Sequence, residues 1–301
     1  MSGNMKFSYC AHKKLFFIIA ILLVITAVAA LVLSIFGVGM FNFDIEFVGG
    51  VTMEYEMHTE VTQKICDDIR DIVEDVSGVS ATVTKSGDGG TQVTIKTLEI
   101  GTETRDAVFN AVAEKYDLDN ADIIRSDFVS SSVGSDIKKA AVISAVVAAV
   151  LILIYITIRF ELRSGIAAVI GLVFTILSVI SIYVIFRIRM NMNFIAVALT
   201  LLGYSINSTI VVFDRIRENE KVAGKNTKFS EIVDVSIWQT FRRCIYSTVT
   251  TLIPVILIII LGVDSIRNFA VPLACGIVFG TFASVCIAGP MWVVLKGKKK
   301  A

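Results

Sequence analysis

A chain of 301 residues that is 55% hydrophobic and 18% charged, with a mean hydropathy of +0.75, carries more apolar side chain than a water-soluble fold can bury. The apolar residues come in long blocks, so the composition describes a polytopic membrane protein and excludes a soluble enzyme or a nucleic-acid binder. The formal charge of +1 averages an acidic stretch, Val38 to Ile137 with 20 acidic and 7 basic residues, against a basic remainder, and by itself says nothing of partners.

Six segments reach the roughly 20 apolar residues that a membrane-spanning helix needs. The first, Leu15 to Phe36, follows Lys6, Lys13 and Lys14 and has a signal-peptide look, with Ala27-Val28-Ala29 as a cleavage candidate. Its apolar run continues to Val38, longer than a signal peptide needs, and is expected to stay as an uncleaved anchor. Next comes a hydrophilic domain. Val51 to Met57, Val79 to Lys85, Gln92 to Leu98 and Ala121 to Val129 read as strands, and Glu60 to Val76 and Glu103 to Lys115 as helices. Gly87-Asp88-Gly89-Gly90 is a hairpin connection between the second and third strands, not a nucleotide loop. The order β-α-β-β-α-β predicts a ferredoxin-like α+β domain, whose acidic residues are mostly a solvated surface.

The remaining spans are Ala140 to Ile158, Gly165 to Phe186, Phe194 to Phe213, Cys244 to Gly262 and Phe269 to Leu295. Lys and Arg collect at the N-terminus, at Arg159 and Arg163, in the Asp214 to Arg243 loop and in the Lys296 to Lys300 tail, whereas the opposite loops hold only Arg187, Arg189 and Arg267. Positive charge stays inside, so both termini are expected in the cytoplasm and residues 38–139 are expected to be exported. The expected domains are therefore 1–37, an N-terminus and first span; 38–137, the exported domain; and 138–301, five further spans with a cytoplasmic loop at 214–243.

The fourth span carries polar groups at bilayer depth, where they are costly and tend to face a partner or a wet path. Thr200, Gly203, Tyr204, Asn207 and Val211 share one face by helical spacing, with Asn207 expected deep and in need of a hydrogen-bond partner. Asp214, Arg215, Arg217 and Glu218 follow at its end, a topology marker or a contact motif for a partner's carboxylates. Arg243 opens the fifth span, followed by Ser247, Thr248, Thr250 and Thr251. On the last span Pro272, Gly276, Gly280, Ser284 and Ala288 recur every four residues as a small-residue packing ridge, against which a partner helix could also bind. No nucleophile-base pair, metal cluster or phosphate loop is visible, and neither Cys10, Cys66, Cys244, Cys275 and Cys286 nor His12 and His58 are spaced for a disulfide framework or a metal. No catalytic residue, cofactor or metal is expected.

Four motifs together resemble the SecF family of the bacterial Sec protein translocase, part of the SecD/SecF group in the resistance-nodulation-division superfamily. They are Phe47-Val48-Gly49-Gly50-Val51, Ser132-Val133-Gly134, Arg159-Phe160-Glu161-Leu162-Arg163 and Gly203 to Glu220. The resemblance, from about Lys14 to Leu295, implies an accessory complex with SecD in the cell membrane. That complex would help to pull unfolded preproteins outward through the SecYEG channel, with SecA acting upstream. It further implies a proton path in which Arg243 takes the place of the family's arginine. Two departures stand against that path in this subunit: Asn207-Ser208 where the family usually has Asn-Asp, and Phe174-Thr175 where it has His-Asp. Ser208 and Thr175 can relay a proton through water but cannot hold charge near neutral pH. Tyr204, Asn207, Ser208, Arg243 and Thr175 are the coupling candidates. The second reading is an exporter of small molecules or lipids from the same superfamily.

Overall fold

A computed structural model of the chain describes residues 8–36, 39–87, 89–224, 226–262 and 264–297. Lys6, Val38, Asp88 and the tail residues 298–300, on which some of the expectations above fall, lie outside them. The chain divides into two compact units, one of residues 43–142 with 190–192, the other of the three segments 1–42, 143–189 and 193–301.

The smaller unit runs α2 Ile45–Val48, β1 Gly50–Glu56, α3 Gln63–Ser77, β2 Ala81–Ser86, β3 Gln92–Thr97, α4 Thr102–Tyr116 and β4 Ile123–Val129. The four strands form one antiparallel sheet in the order β2-β3-β1-β4. Alternation sorts its faces. Val51, Met53 and Tyr55 of β1 join Val83, Val93 and Ile95 beneath Ile69 and Val73 of α3 and Val108 and Val112 of α4. On the polar side Glu54 accepts hydrogen bonds from Ser86 at 3.0 Å and Thr94 at 3.3 Å, and Gln92 donates to Glu56 at 3.0 Å. Gly78 ends α3 in the left-handed conformation that a residue without Cβ adopts freely. Asp44 caps α2 at the Ile45 amide and takes Lys96 Nζ at 2.7 Å on each oxygen, fastening α2 to β3.

Two of the signature motifs meet inside this unit. Gly49 and Gly50 have φ of 88° and 148°, as a chain turning into a strand requires. A Cβ on Gly49 would lie 2.6 Å from Ser131 Cα, and one on Gly134 would lie 2.7 Å from the Phe47 carbonyl oxygen. The glycines thus allow two backbone segments to touch.

Among the described residues six helices are long and apolar enough to cross a membrane. They comprise α1 Lys13–Ile35, α5 Ser131–Arg159, α6 Leu162–Ile185, α7 Met192–Val222, α8 Phe229–Leu261, and a last span formed by α9 Asp264–Phe282, a π-helical turn Ala283–Ala288 and α10 Gly289–Lys296. The centre of the helical unit is α6, α7 and the last span; α1 packs on α6 through the fully buried Ala27 and Ala30.

Three helix ends differ from the sequence reading. α5 starts at Ser131 instead of Ala140, and most of the expected 214–243 loop is helix, because α7 continues to Val222 and α8 begins at Phe229. Hydropathy marks where water begins, whereas Glu, Lys, Arg and Ala continue a helix readily beyond that point.

Candidate functional site

Helix α7 has one covered and one open side. Leu201, Leu202, Ser205, Ser208, Thr209 and Val212 are buried, while Thr200, Gly203 and Asn207 are exposed and Tyr204 and Val211 lie between. Asn207, expected deep and in need of a hydrogen-bond partner, is exposed on the side that this chain leaves open. Periodicity correctly grouped the polar face, but the helices of this chain cover the opposite one.

The covered side holds a seam of hydroxyls. Thr175 of α6 donates to the Gly171 carbonyl at 2.9 Å and lies 3.5 Å from Ser205 Oγ. Ser284, in the π-helical turn, is 2.9 Å from Thr209 Oγ1 and 3.1 Å from the Ser205 carbonyl oxygen. Tyr204 donates to Thr248 Oγ1 at 3.1 Å, and Thr248 and Thr281 are joined at 2.6 Å. Thr209 and Thr281 escaped the sequence reading, because any Ser or Thr in a helix can bond its own carbonyls and sequence does not distinguish the one that bridges.

The ridge of the last span is spent on this seam. A Cβ on Gly276 would stand 2.2 Å from Leu201 Cδ1 and 2.9 Å from Val179 Cγ2, and one on Gly280 would stand 3.2 Å from Ser205 Cβ. Gly276, Gly280 and Ser284 therefore seat the last span on α6 and α7 of the same chain.

Where the two sides meet, the exposed Asn207, half-buried Val211 and buried Ser208 of α7 and Arg243, Cys244 and Ser247 of α8 line a pocket of about 70 Å³. Three of the coupling candidates, Asn207, Ser208 and Arg243, thus come together; Thr175 and Tyr204 belong to the hydroxyl seam.

The polar ends of α7 and α8 form a second cluster. Asp214 pairs with Arg159 at 3.2 Å, Arg215 with Glu218 at 2.7 Å and with Gln239 at 2.6 Å, and Arg217 donates to the Arg159 carbonyl at 3.0 Å. The buried Asn219 bridges Ser236 and Gln239 at 2.8 and 2.9 Å. Lys296 reaches Glu220 at 2.7 Å. The four motif residues are thus engaged within the chain, although their exposed pairs are each worth at most about 1 kcal/mol. Beside them the buried Asp234 accepts from the Ser8 hydroxyl and, at 2.8 Å, from the Cys10 amide.

Residues 108–298 match the family described as protein export membrane protein SecD/SecF, C-terminal. The chain is 35% identical over 301 residues to the protein translocase subunit SecF of Acidaminococcus fermentans, covering 98% of this chain and 99% of that one. It is 31% identical over 268 residues to SecF of Sebaldella termitidis, covering 89% and 86%. Against the subunit SecDF of Bacillus subtilis identity is 30% over 297 residues, 98% of this chain but 39% of the other. The crystal structure of SecDF, a translocon-associated membrane protein from Thermus thermophilus, superimposes with a TM-score of 0.82 at 27% identity, over 97% of this chain and 39% of that one.

Proposed function

We infer the function from the family to which this chain belongs, the SecD/SecF membrane proteins of protein export. The chain is an accessory subunit of the preprotein translocase. It works with a SecD partner on polypeptides leaving the SecYEG channel, downstream of SecA. The observation that carries the SecD partnership is the relation to SecDF: this chain corresponds to 39% of a longer protein that holds both parts. The open polar side of α7 supports it, since an exposed glycine and asparagine at membrane depth call for a second helical half.

In this reading the smaller unit is a ferredoxin-like domain on the exported side, between the first and second spans. The chain is multi-pass in the cell membrane with both termini cytoplasmic, and domains bounded at 1–37, 38–137 and 138–301. Basic residues at the ends of α7 and α8 support that orientation. Asn207, Ser208 and Arg243 form the coupling region, with Tyr204 and Thr175 as its structural support. Residues 165–186, 194–213, 244–262 and 269–295 contain no Asp, Glu or His, so any carboxylate that cycles protons comes from SecD. Relatives named as translocase subunits favour protein transport over small-molecule or lipid export and over an enzyme. The test is affinity purification of this chain from its native membrane. SecD and channel subunits are expected to co-purify and preprotein export to slow when the chain is depleted; drug or lipid efflux changing with export intact would overturn the reading.

A further inference from the structure

The hydroxyl seam and the open pocket differ in one respect. Every hydroxyl named in the seam has a partner: Thr175, Ser205, Thr209, Ser284, Tyr204, Thr248 and Thr281 are all bonded to one another or to a carbonyl. In the pocket, four polar side chains have none among the described residues: Asn207, Ser208, Arg243 and Ser247. Ser247 accepts hydrogen bonds at its backbone carbonyl from Thr250 and Thr251, but its hydroxyl is unspent. The nearby arginines show what is missing. Arg159 and Arg215 each meet a carboxylate, whereas Arg243 meets none.

All four of these side chains can donate hydrogen bonds at once. A guanidinium has five N–H donors and no acceptor, two serine hydroxyls each donate, and the asparagine amide turns its NH₂ toward whatever is negative. No carboxylate lines the pocket, so its formal charge is +1. Arg243 stands at the start of the apolar 244–262 run, exposed and with no carboxylate against it among the described residues. The pocket, at about 70 Å³, has room for a monatomic anion together with water.

We propose that Arg243, Asn207, Ser208 and Ser247 form a binding site for a small monovalent anion of the halide class, which supplies in solution the negative charge that a carboxylate at position 208 would have supplied covalently. Ser208 is the determinant. A shorter neutral side chain leaves both the space and the charge deficit that the ion fills.

The test uses the purified full chain in detergent, in a buffer of a bulky organic anion, with added chloride followed by chloride-35 line broadening. The parent chain is expected to broaden the line in excess of the detergent blank, saturably and in competition with bromide. Ser208→Asp and Arg243→Gln are each expected to weaken binding at least ~10-fold, the first by filling the site with its own carboxylate and the second by removing the charge. Unchanged helicity and elution volume exclude misfolding, and Thr82→Ala, at an exposed position of β2, is expected to bind chloride like the parent. Absence of excess broadening by the parent, or undiminished broadening by Arg243→Gln, would overturn the proposal. A second arm repeats the titration on the chain bound to a SecD chain. Chloride retained there supports a free ion; chloride displaced there identifies the anion as a carboxylate of the partner and refutes a free one. Neither arm needs export activity, so failure here is separate from failure of the translocase assignment.

Discussion

Gly276 and Gly203 are both helical glycines within apolar spans, yet their surroundings are opposite. A Cβ on Gly276 would overlap Leu201 and Val179, whereas one on Gly203 would meet nothing within 4 Å. Gly276→Val should therefore destabilise the purified chain by about 1–3 kcal/mol, the usual cost of overpacking, read as a lowered midpoint of thermal unfolding in detergent. Asp234 offers a similar contrast. It is buried, and its partners Ser8 and Cys10 are more than two hundred residues away in sequence. Burial and the Asp234 carboxylate push the Cys10 thiol up and keep it protonated. Asp234→Ala should free the Ser8–Cys10 segment and accelerate alkylation of Cys10 by maleimide; an unchanged rate would mean that the aromatic packing of Tyr9 on Phe16 and Trp238 holds the segment unaided. Nothing in the sequence announced this contact. A lone aspartate in a basic stretch reads as a surface charge, and only the fold brings the N-terminal segment to it.

At the scale of elements, most of what was legible came from periodicity, and most of what was missed came from boundaries and coverage. The alternation in Val51 to Met57 and the 3.6-residue pattern through Ile65, Ile69 and Ile72 appear as β1 and α3, because each element buries one face, whereas Val76, the last residue of that pattern, is exposed. The helical hairpin of α7 and α8 beyond the apolar blocks was illegible, since its stability comes from polar contacts such as Asn219 with Ser236. The sheet unit also has a pH dependence. The Asp119 amide and His58 hold the Asp122 carboxyl below its ordinary 3.8, and hydrogen bonds from Thr91 and Gln92 hold Glu56 below its ordinary 4.5. Carboxyls depressed in the folded state bind fewer protons there than when unfolded, so their contribution is complete above the ordinary values and vanishes as pH falls through the depressed ones. Hydrogen exchange in β1 and β4 should therefore accelerate on acidification below about pH 4.5, relative to its intrinsic rate. His58→Ala should reduce that acid sensitivity; a profile identical to the parent's would rule out the His58 contact at 2.7 Å as a contributor.

The molecule as a whole has the proportions of one half of a larger machine. Gly203→Leu should leave the isolated chain as stable as the parent, because it fills only open space, but should abolish co-purification with SecD if the open side of α7 is where the second half docks. Retained co-purification would move the interface elsewhere. Purified alone in liposomes, the chain should carry no proton current under an imposed pH gradient, since its central spans lack Asp, Glu and His; a current abolished by Asn207→Ala would contradict this. The sequence carried the identity of the polar residues, their face and the family resemblance. It did not carry which side of α7 this chain covers, because periodicity fixes the angle between residues around a helix and leaves the whole pattern free to rotate.

The π-helical turn Ala283–Ala288 gives that freedom a measurable form. One added residue in a helical ladder turns everything after it by roughly 100°. Before the turn, Gly276 and Gly280 are phased toward Leu201 and Ser205; after it, Trp292 is phased toward Phe213 and Phe229, with ring centroids 4.9 and 5.5 Å away. The last span is thus two helical screws joined out of step, and its length is set to the single residue. A deletion of one position within 283–288 would keep its hydropathy and its ability to insert in a bilayer, but would swing Trp292 out of its aromatic nest.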